Sequence, residues 1–319
     1  MNEFLLIAGG LVLLAVGGDV LVRGAVGTAS KLGVSPLLIG LVLVGFGTSM
    51  PELTTSVQAA LSGSPGIAVG NVVGSNIANI FLILGAAALL SPIVVAKGVL
   101  SRDGSFLALS QIALVAALFL TPVGRMSGGM LFAGLIAYIG LSYWLDRRSK
   151  SGAATLHSAE AESVTPPKGG LLVSLLLLAG GIAGVVIGAK LLVDGAISIA
   201  EGFGISDTVI GLTVVAVGTS LPELAASVAA AAKRQGDIAL GNVIGSNIFN
   251  ALGILGATAI IRPIDVPASI LQFDVWVMLG AAALLVIVAA TGRKITRLEG
   301  LFLLALYAAY TAWLAIGSL

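Results

Sequence analysis

The chain has 319 residues, of which 58% are hydrophobic and 10% charged, and its formal net charge is +1. Soluble domains carry about 25% charged residues, so this composition excludes an ordinary soluble protein and indicates one that lies in a lipid bilayer. The near-zero net charge gives no indication of a nucleic-acid partner, and the lack of cysteine excludes disulfides, thiolate catalysis and Cys-ligated metals.

Apolar segments follow one another along the whole chain, at roughly the 20 residues that a helix needs to cross the hydrocarbon core. The ten segments are 3–30, 35–61, 66–90, 104–120, 127–145, 170–200, 205–232, 238–261, 269–291 and 298–317. The first is too long, and too soon followed by others, to be a cleaved signal peptide. We therefore predict an all-α polytopic membrane protein with ten transmembrane helices.

One polar stretch, Asp146 to Gly169, separates the fifth segment from the sixth and contains the sole histidine, His157. We expect residues 1–146 to form a first five-helix repeat, 147–169 a linker, and 170–319 a second five-helix repeat. Because each half crosses the membrane an odd number of times, the second half must enter from the opposite face. Such inverted repeats are typical of secondary transporters, which bind their substrates where the halves meet.

Lysine and arginine in short loops favour the cytoplasmic side of a membrane. With the N-terminus outside, the outer loops contain only Arg125 and Arg262. The inner loops then contain Lys31, Lys97, Arg102, Arg147, Arg148, Lys150, Lys168, Lys233, Arg234, Arg293, Lys294 and Arg297. We expect a multi-pass protein of the plasma membrane with both termini outside and the linker in the cytoplasm.

A six-residue motif occurs once in each half. Gly47-Thr48-Ser49-Met50-Pro51-Glu52 returns 171 positions later as Gly218-Thr219-Ser220-Leu221-Pro222-Glu223, with five of six residues identical. The ungapped match extends from about Gly17–Pro92 to Gly188–Pro263. A charged side chain at the centre of a spanning helix costs about 2.5–3.5 kcal/mol, and two neighbouring glutamates repel unless they are protonated or matched by a cation.

The proline of each motif supplies a second reason to expect a cation site. A proline inside a helix removes one N–H and clashes with the carbonyl four residues before it. We therefore expect broken core helices, with partly released carbonyls from Gly45 to Thr48 and from Ala216 to Thr219. Calcium takes six to eight oxygen ligands, carboxylates and carbonyls included. The alternatives are a protonated glutamate that caps loose backbone, and an ion pair with a distant lysine or arginine.

A ten-residue motif follows in each half. Gly70 to Asn79, GNVVGSNIAN, matches Gly241 to Asn250, GNVIGSNIFN, at eight of ten positions. The four-residue spacing puts each Ser and Asn on one helical face, which can offer neutral oxygens to sodium or calcium; these residues are Ser75, Asn79, Ser246 and Asn250. The other asparagines are expected to tie broken helix ends to their neighbours; they are Asn71, Asn76, Asn242 and Asn247.

Two further charged pairs lie in the first segment of each half. Asp19 and Arg23 align with Lys190 and Asp194, with the charges reversed and the same four-residue spacing. We interpret both as helix ion pairs that make charge inside the membrane tolerable, and not as part of an ion path.

The two pairs of motifs resemble the two alpha-repeats of the sodium/calcium exchangers of the cation/calcium antiporter superfamily. The resemblance covers most of the chain and implies antiport of sodium against calcium by alternating access, without a cofactor and as a monomer. It implies that Glu52 and Glu223 bind calcium, together with the main-chain carbonyls of Thr48 and Thr219. It further implies sodium sites at Ser49, Ser220, Ser75 and Ser246 and at the carbonyls of Gly45 and Ala216, with Asn79 and Asn250 as the remaining central polar residues.

One position departs from some members of that family. Those members have an aspartate where this chain has Asn250, and potassium-dependent relatives also use an acid there. The amide leaves two carboxylates, which balance one calcium. A calcium/proton or potassium-linked antiporter stays an alternative, and a cation channel is the alternative from another class. With no HExxH motif, nucleophile elbow or phosphate-binding loop in the sequence, we do not expect an enzyme.

Overall fold

The computed structural model describes residues 3–34, 39, 46–95, 100–148 and 169–317, and these residues are almost entirely helical. Eleven helices are described: α1 Glu3–Lys31, α2 Met50–Leu61, α3 Pro65–Leu90, α4 Ser105–Phe119, α5 Arg125–Arg148, α6 Leu171–Phe203, α7 Asp207–Thr219, α8 Leu221–Ala232, α9 Gly236–Ile261, α10 Ile270–Ala290 and α11 Arg297–Gly317. Most of the predicted linker, and residues 35–38 and 40–45 of segment 35–61, Gly45 included, lie outside the described residues.

The described helices agree with the prediction of a polytopic membrane protein. Within the described residues, eight helices are long and apolar enough to cross a membrane, and α7 with α8 makes a ninth, bent span. Large apolar side chains such as Phe4, Leu172 and Met126 face outward, as expected where the surroundings are lipid. The predicted second crossing is described only in part, so the count of ten stays a prediction.

Both halves have the predicted break at the six-residue motif. Residues 46–49 form a turn before α2 begins at Met50, and α7 ends at Thr219 before α8 begins at Leu221, at an angle of 47°. Each proline lies in the first turn of the helix that follows the break, where a missing N–H costs no intrahelical hydrogen bond. The chain therefore breaks just before the proline, and each glutamate lies in the first turn of a new helix.

Several spans contain a wide π-helical turn. Two of these turns occupy matching places in the two halves: Asn79–Leu84 within α3 and Phe249–Ile254 within α9. The others are Gly211–Val215 within α7, Ile270–Asp274 at the start of α10 and Leu100–Gly104 before α4. Such turns are rare in α-helices and are frequent at functional sites.

Small residues allow α1 and α6 to pack backbone against backbone. A Cβ added at Gly17 would lie 2.9 Å from the main-chain carbon of Gly184, and one added at Gly24 would overlap the main-chain nitrogen of Leu178. Close approach of this kind stabilises helix pairs in membranes, where burial of apolar surface gives no net driving force. The core of the molecule lies between α3 and α9, with a smaller apolar cluster around α1 and α6.

Matching contacts join the two halves at both ends of the bundle. The short strands β1 (Ile93–Val94) and β2 (Lys294–Ile295) pair antiparallel, with Ile93 opposite Ile295. Ile264, which lies 171 positions after Ile93, forms an antiparallel bridge with Val123. Each half thus pairs the segment after its third predicted span with the segment before the last span of the other half.

Basic side chains add further hydrogen bonds between the two halves, because they donate to main-chain oxygens at helix ends. Arg297 donates to the main-chain oxygen of Leu90 at 3.2 Å, and Arg125 donates to that of Ile260 at 3.2 Å. Lys31, at the end of α1, donates to the oxygen of Gly170 at 2.9 Å and to Ser174 Oγ at 2.8 Å, at the start of α6. Cations at helix C-termini satisfy the last carbonyls and complement the helix dipole.

Only one of the two predicted helix ion pairs forms. Arg23 Nε lies 2.9 Å from an oxygen of Asp19, as expected. The prediction was wrong for Lys190 and Asp194, because the ion pairs within 4.0 Å among the described residues do not include this one. The order of the charges explains the difference, since an acid that precedes a base by four residues is the better arrangement on a helix.

Candidate functional site

The two glutamates of the repeated motif are buried together at the centre of the molecule. Glu52 and Glu223 are each 1% exposed, and each lies in the first turn of its helix, α2 or α8. Free N–H groups at a helix N-terminus favour a negative charge. Both breaks therefore direct a positive helix end toward the same buried acidic pair.

Each glutamate is hydrogen-bonded by the serine of the opposite half. Ser49 Oγ donates to Glu223 Oε1 at 2.7 Å, and Ser220 Oγ donates to Glu52 Oε1 at 2.8 Å. Ser49 Oγ also lies 3.2 Å from Ser246 Oγ, in the second motif of the second half. The structure thus brings the two halves together through the side chains that the sequence analysis selected.

Thr219 and Ser75 form further contacts between the two halves at this site. Thr219 Oγ1 donates to Asn71 Oδ1 at 3.1 Å, and Ser75 Oγ lies 3.5 Å from the main-chain oxygen of Ala216. That oxygen also accepts the N–H of Ser220 at 3.2 Å, so it is still held by one backbone bond. Thr48 is half-buried in the turn before α2.

Several oxygens at this site have no hydrogen-bond partner among the described residues. They are Thr48 Oγ1, Glu52 Oε2, Glu223 Oε2, Asn79 Oδ1 and Asn250 Oδ1. Buried polar atoms are usually paired, because a lost hydrogen bond costs about 1–3 kcal/mol. Carboxylate and amide oxygens are the ligands that hard cations such as calcium take, so this donor set fits a cation better than a neutral core.

Among the described residues, no basic side chain forms an ion pair with either of the two carboxylates. The ion pairs within the described part of the chain are Arg23 with Asp19 and Arg102 with Asp103, both remote from the motifs in sequence. The alternative of an ion pair with a distant lysine or arginine is therefore not realised in these residues. An intramembrane acid without a basic partner favours a functional site.

Two of the four remaining asparagines stabilise the helix ends, as predicted. Asn71 donates from Nδ2 to the main-chain oxygen of Glu52 at 3.1 Å and to Ser56 Oγ at 2.9 Å. Asn242 repeats this pattern with Glu223 at 3.4 Å and Ser227 at 3.0 Å. Each asparagine thus ties the second motif to the helix that carries the glutamate of its own half.

The other two asparagines behave differently from each other. Asn76 donates to the oxygen of Val72 at 2.7 Å, within its own helix, and accepts from Gln111 at 3.2 Å. Neither side-chain atom of Asn247 has a hydrogen-bond partner among the described residues, so the predicted tie was wrong for this residue. Its main-chain oxygen instead accepts from Gln111.

Three features of the site were not predicted. Gln111 is a buried amide in an otherwise largely apolar helix, and nothing in its sequence surroundings marks it. Phe46 stacks on Phe249 with ring centroids 4.7 Å apart, and this contact joins the break in one half to the π-helical turn in the other. The π-helical turns around Asn79 and Asn250 carry no signal in the sequence beyond the repeated asparagine itself.

Comparison with known proteins agrees with this geometry. The family model described as sodium/calcium exchanger protein matches residues 2–144 and 173–316. The chain is 41% identical to the putative antiporter CaxA of Alkalimonas amylolytica, over 94% of this chain and 95% of that protein. It is 38% identical to the sodium/calcium exchanger MaX1 of Methanosarcina acetivorans, over 97% of each.

A solved structure of the sodium-calcium exchanger NCX_Mj, soaked with 10 mM Na+ and zero Ca2+, has a similar fold, with a TM-score of 0.63 and 34% identity. The match covers 98% of this chain and 98% of that one. The family model accounts for most of both halves, including the two buried glutamates and the serines that bond them. This chain is therefore a membrane antiporter that belongs to the sodium/calcium exchanger protein family.

Proposed function

We propose that this chain exchanges Na+ for Ca2+ across the membrane by alternating access to the site between the two halves. The observation that carries the proposal is the pair of buried glutamates, each bonded by a serine of the other half and neither in an ion pair with a basic side chain of the part of the chain that the structure describes. Relatives and a structural neighbour named as sodium/calcium exchangers add support.

In this proposal Glu52 and Glu223 are the metal ligands that bind calcium directly, with main-chain carbonyls of Thr48 and Thr219. Sodium is bound by the same glutamates and by nearby neutral oxygens. The neutral ligands are Ser49, Ser75, Ser220 and Ser246, the carbonyls of Gly45 and Ala216, and the oxygens of Thr48 and Thr219. Asn79 and Asn250 complete the central polar group, and their unpaired oxygens support this role.

The charge of the site explains why exchange would be coupled. With both glutamates ionised the empty site carries two negative charges, and an uncompensated charge inside a membrane costs about 2.5–3.5 kcal/mol. One calcium ion cancels both charges, and sodium ions cancel them in turn. A carrier that changes faces easily only when neutralised cannot return empty, so one ion must replace the other.

The architecture that goes with this function has ten helices in two inverted repeats, 1–146 and 170–319, joined by a cytoplasmic linker at 147–169. Four contacts support the crossing order, because each joins chain segments that this order puts on one side: Ile93 with Ile295, Ile264 with Val123, Lys31 with Gly170, and Arg262 with Leu61. We place both termini outside a plasma membrane and expect a working monomer without a cofactor.

Flux into proteoliposomes tests the proposal. Vesicles loaded with sodium and diluted into sodium-free medium should take up radioactive calcium, while vesicles loaded with choline should not. Glu52→Gln and Glu223→Gln should abolish this uptake, because each removes one of the two charges that calcium must balance. Glu201→Gln, which changes an exposed acid at the end of α6, is the matched control and should transport normally.

The same vesicles separate the alternatives. Uptake driven by a proton gradient without sodium would support a calcium/proton antiporter, and a need for potassium together with sodium would support the potassium-linked one. Calcium entry without any counter-ion would support a channel. Normal sodium-driven uptake by both glutamine variants would contradict the assignment of the site.

A further inference from the structure

A single buried amide outside the repeated motifs touches both of them. Gln111 lies on α4 and is 1% exposed. Its Nε2 donates to Asn76 Oδ1 at 3.2 Å and to the main-chain oxygen of Asn247 at 3.3 Å. An amide group has two N–H bonds, so one side chain bonds the first half and the second half at the same time.

The two partners of Gln111 lie directly beside the proposed ion ligands. Asn76 follows Ser75 and precedes Asn79 by three residues, and Asn247 stands in the same relation to Ser246 and Asn250. Both also lie one turn before a π-helical turn, Asn79–Leu84 or Phe249–Ile254. A bond that holds Asn76 against Asn247 therefore sets the spacing between the two helices that carry the serine and asparagine oxygens.

The arrangement is not repeated in the other half. The position that matches Gln111 at the 171-residue offset is Ala282, a buried residue of α10. An alanine side chain cannot donate a hydrogen bond, which explains why Asn247 Oδ1 has no partner among the described residues while Asn76 Oδ1 accepts from Gln111. The two halves thus share one amide, and its loss cannot be replaced by a symmetric copy.

We propose that Gln111 is a positioning residue that holds the second motifs of the two halves at the spacing needed for ion binding. The inference rests on the proposed function for the identity of the ions. Within the described residues the hydrogen bonds of Gln111 go to Asn76 and Asn247 and to none of the proposed ligands, so it acts through these two asparagines. Replacing it should weaken ion binding without removing any ion ligand.

The test is Gln111→Met, which keeps the length of the side chain and removes both hydrogen bonds. Two neutral hydrogen bonds at about 1 kcal/mol each together correspond to about a 30-fold change in an equilibrium constant, and this is the upper limit of the effect on ion binding. We expect the half-saturating calcium and sodium concentrations for exchange in proteoliposomes to rise about tenfold, with a smaller change in the maximal rate. Ser110→Ala is the matched control, because Ser110 is equally buried on α4 and donates only to Leu107 within that helix.

A second measurement does not depend on transport. In detergent, calcium and sodium raise the apparent melting temperature of a protein that binds them, and the stabilisation at each ion concentration, which grows as RT ln(1 + [L]/Kd), gives the dissociation constant. It should shift about tenfold in Gln111→Met, in step with the flux result. Asn76→Ala should give a similar shift, and the double variant should lose less than the sum of the two because one shared bond is counted twice.

The outcomes are distinct. Gln111→Met could lower the melting temperature of the ion-free protein and leave unchanged both the half-saturating ion concentrations in flux and the dissociation constants from melting. That result would show that Gln111 only stabilises the fold, and would overturn the inference. If the unmodified protein fails to exchange sodium for calcium, the proposed function fails, yet the melting assay with each ion still decides the role of Gln111. A shift in Gln111→Met but not in Ser110→Ala supports it.

Discussion

Replacing Ser49 by alanine tests how the two halves share the site. The serine hydroxyl donates to Glu223 Oε1 at 2.7 Å, while Glu223 Oε2 has no partner among the described residues. The variant therefore leaves this buried carboxylate without a side-chain donor. A hydrogen bond to a charged group is worth about 1.5–3 kcal/mol, so the ion-free protein should lose about this much stability.

The Ser49→Ala change should lower the affinity for sodium but not the affinity for calcium. Calcium contacts the carboxylate directly and replaces the lost donor, so calcium affinity should stay the same or rise. Sodium loses a proposed ligand, the serine oxygen. Since both affinities are measured against the same ion-free state, that state cancels in their ratio. Taking the lost contact between the serine oxygen and sodium to be worth as much as a hydrogen bond to a charged group, about 1.5–3 kcal/mol, the ratio of half-saturating sodium to half-saturating calcium should rise by about 10- to 150-fold.

The assay is a titration of the apparent melting temperature with each ion, repeated as calcium flux into vesicles. Ser220→Ala should give the same result, because Ser220 bonds Glu52 in the same way at 2.8 Å. Ser142→Ala is the control, since Ser142 is equally buried and its hydroxyl has no hydrogen-bond partner among the described residues. A ratio that stays constant, or calcium binding that weakens as much as sodium binding, would refute the reasoning.

Three further predictions concern packing and buried charge. In Gly74→Ala the new Cβ would lie 2.7 Å from the main-chain oxygen of Leu212. Helix α3 must therefore move away from α7, and the binding of both ions should weaken in flux assays. Gly180→Ala is the control and should not weaken binding, because a Cβ at Gly180 would enter open space. Tyr310→Phe removes the hydroxyl that donates to the buried carboxylate of Asp274 at 2.8 Å, so the free energy of unfolding should fall by about 1.5–3 kcal/mol. Adding Asp274→Asn should recover part of this loss in thermal unfolding. If it recovers nothing, the unpaired carboxylate is not the cause of the lost stability. Arg23→Gln alone leaves Asp19 without its ion-pair partner and should lower the melting temperature more than the double change of Asp19→Asn with Arg23→Gln. If the two variants lower the melting temperature equally, the ion pair contributes nothing to stability.

Much of the fold follows from the sequence because a bilayer allows few solutions. Each backbone polar group must be satisfied within the span, so a long apolar run in this composition becomes a helix. The predicted ends agree with the nine described spans to within about three residues, for example 238–261 against Gly236–Ile261. The broken helices were also predictable, because Pro51 and Pro222 interrupt apolar runs at the same place in each half.

The site could be predicted as a set of residues but not as a set of contacts. The repeated Glu52 and Glu223 stand out because a carboxylate in an apolar run is costly, and repetition makes chance improbable. Nothing in one half reveals that its serine bonds the glutamate of the other half, since this depends on how the halves meet. Gln111 was missed for the same reason: its importance lies in two long-range bonds, and it has no counterpart at Ala282.

The serine of each half donates a hydrogen bond to the glutamate of the other half, and this bears on how such a chain could arise. One copy of the repeat holds a carboxylate whose best donor lies on another copy, so a protein with a single repeat would carry an unsatisfied acid at its centre. A second copy facing it removes that defect for both at once. Once both copies lie in one polypeptide they need not be identical, and the glutamine at position 111, matched by alanine at 282, is one place where they differ.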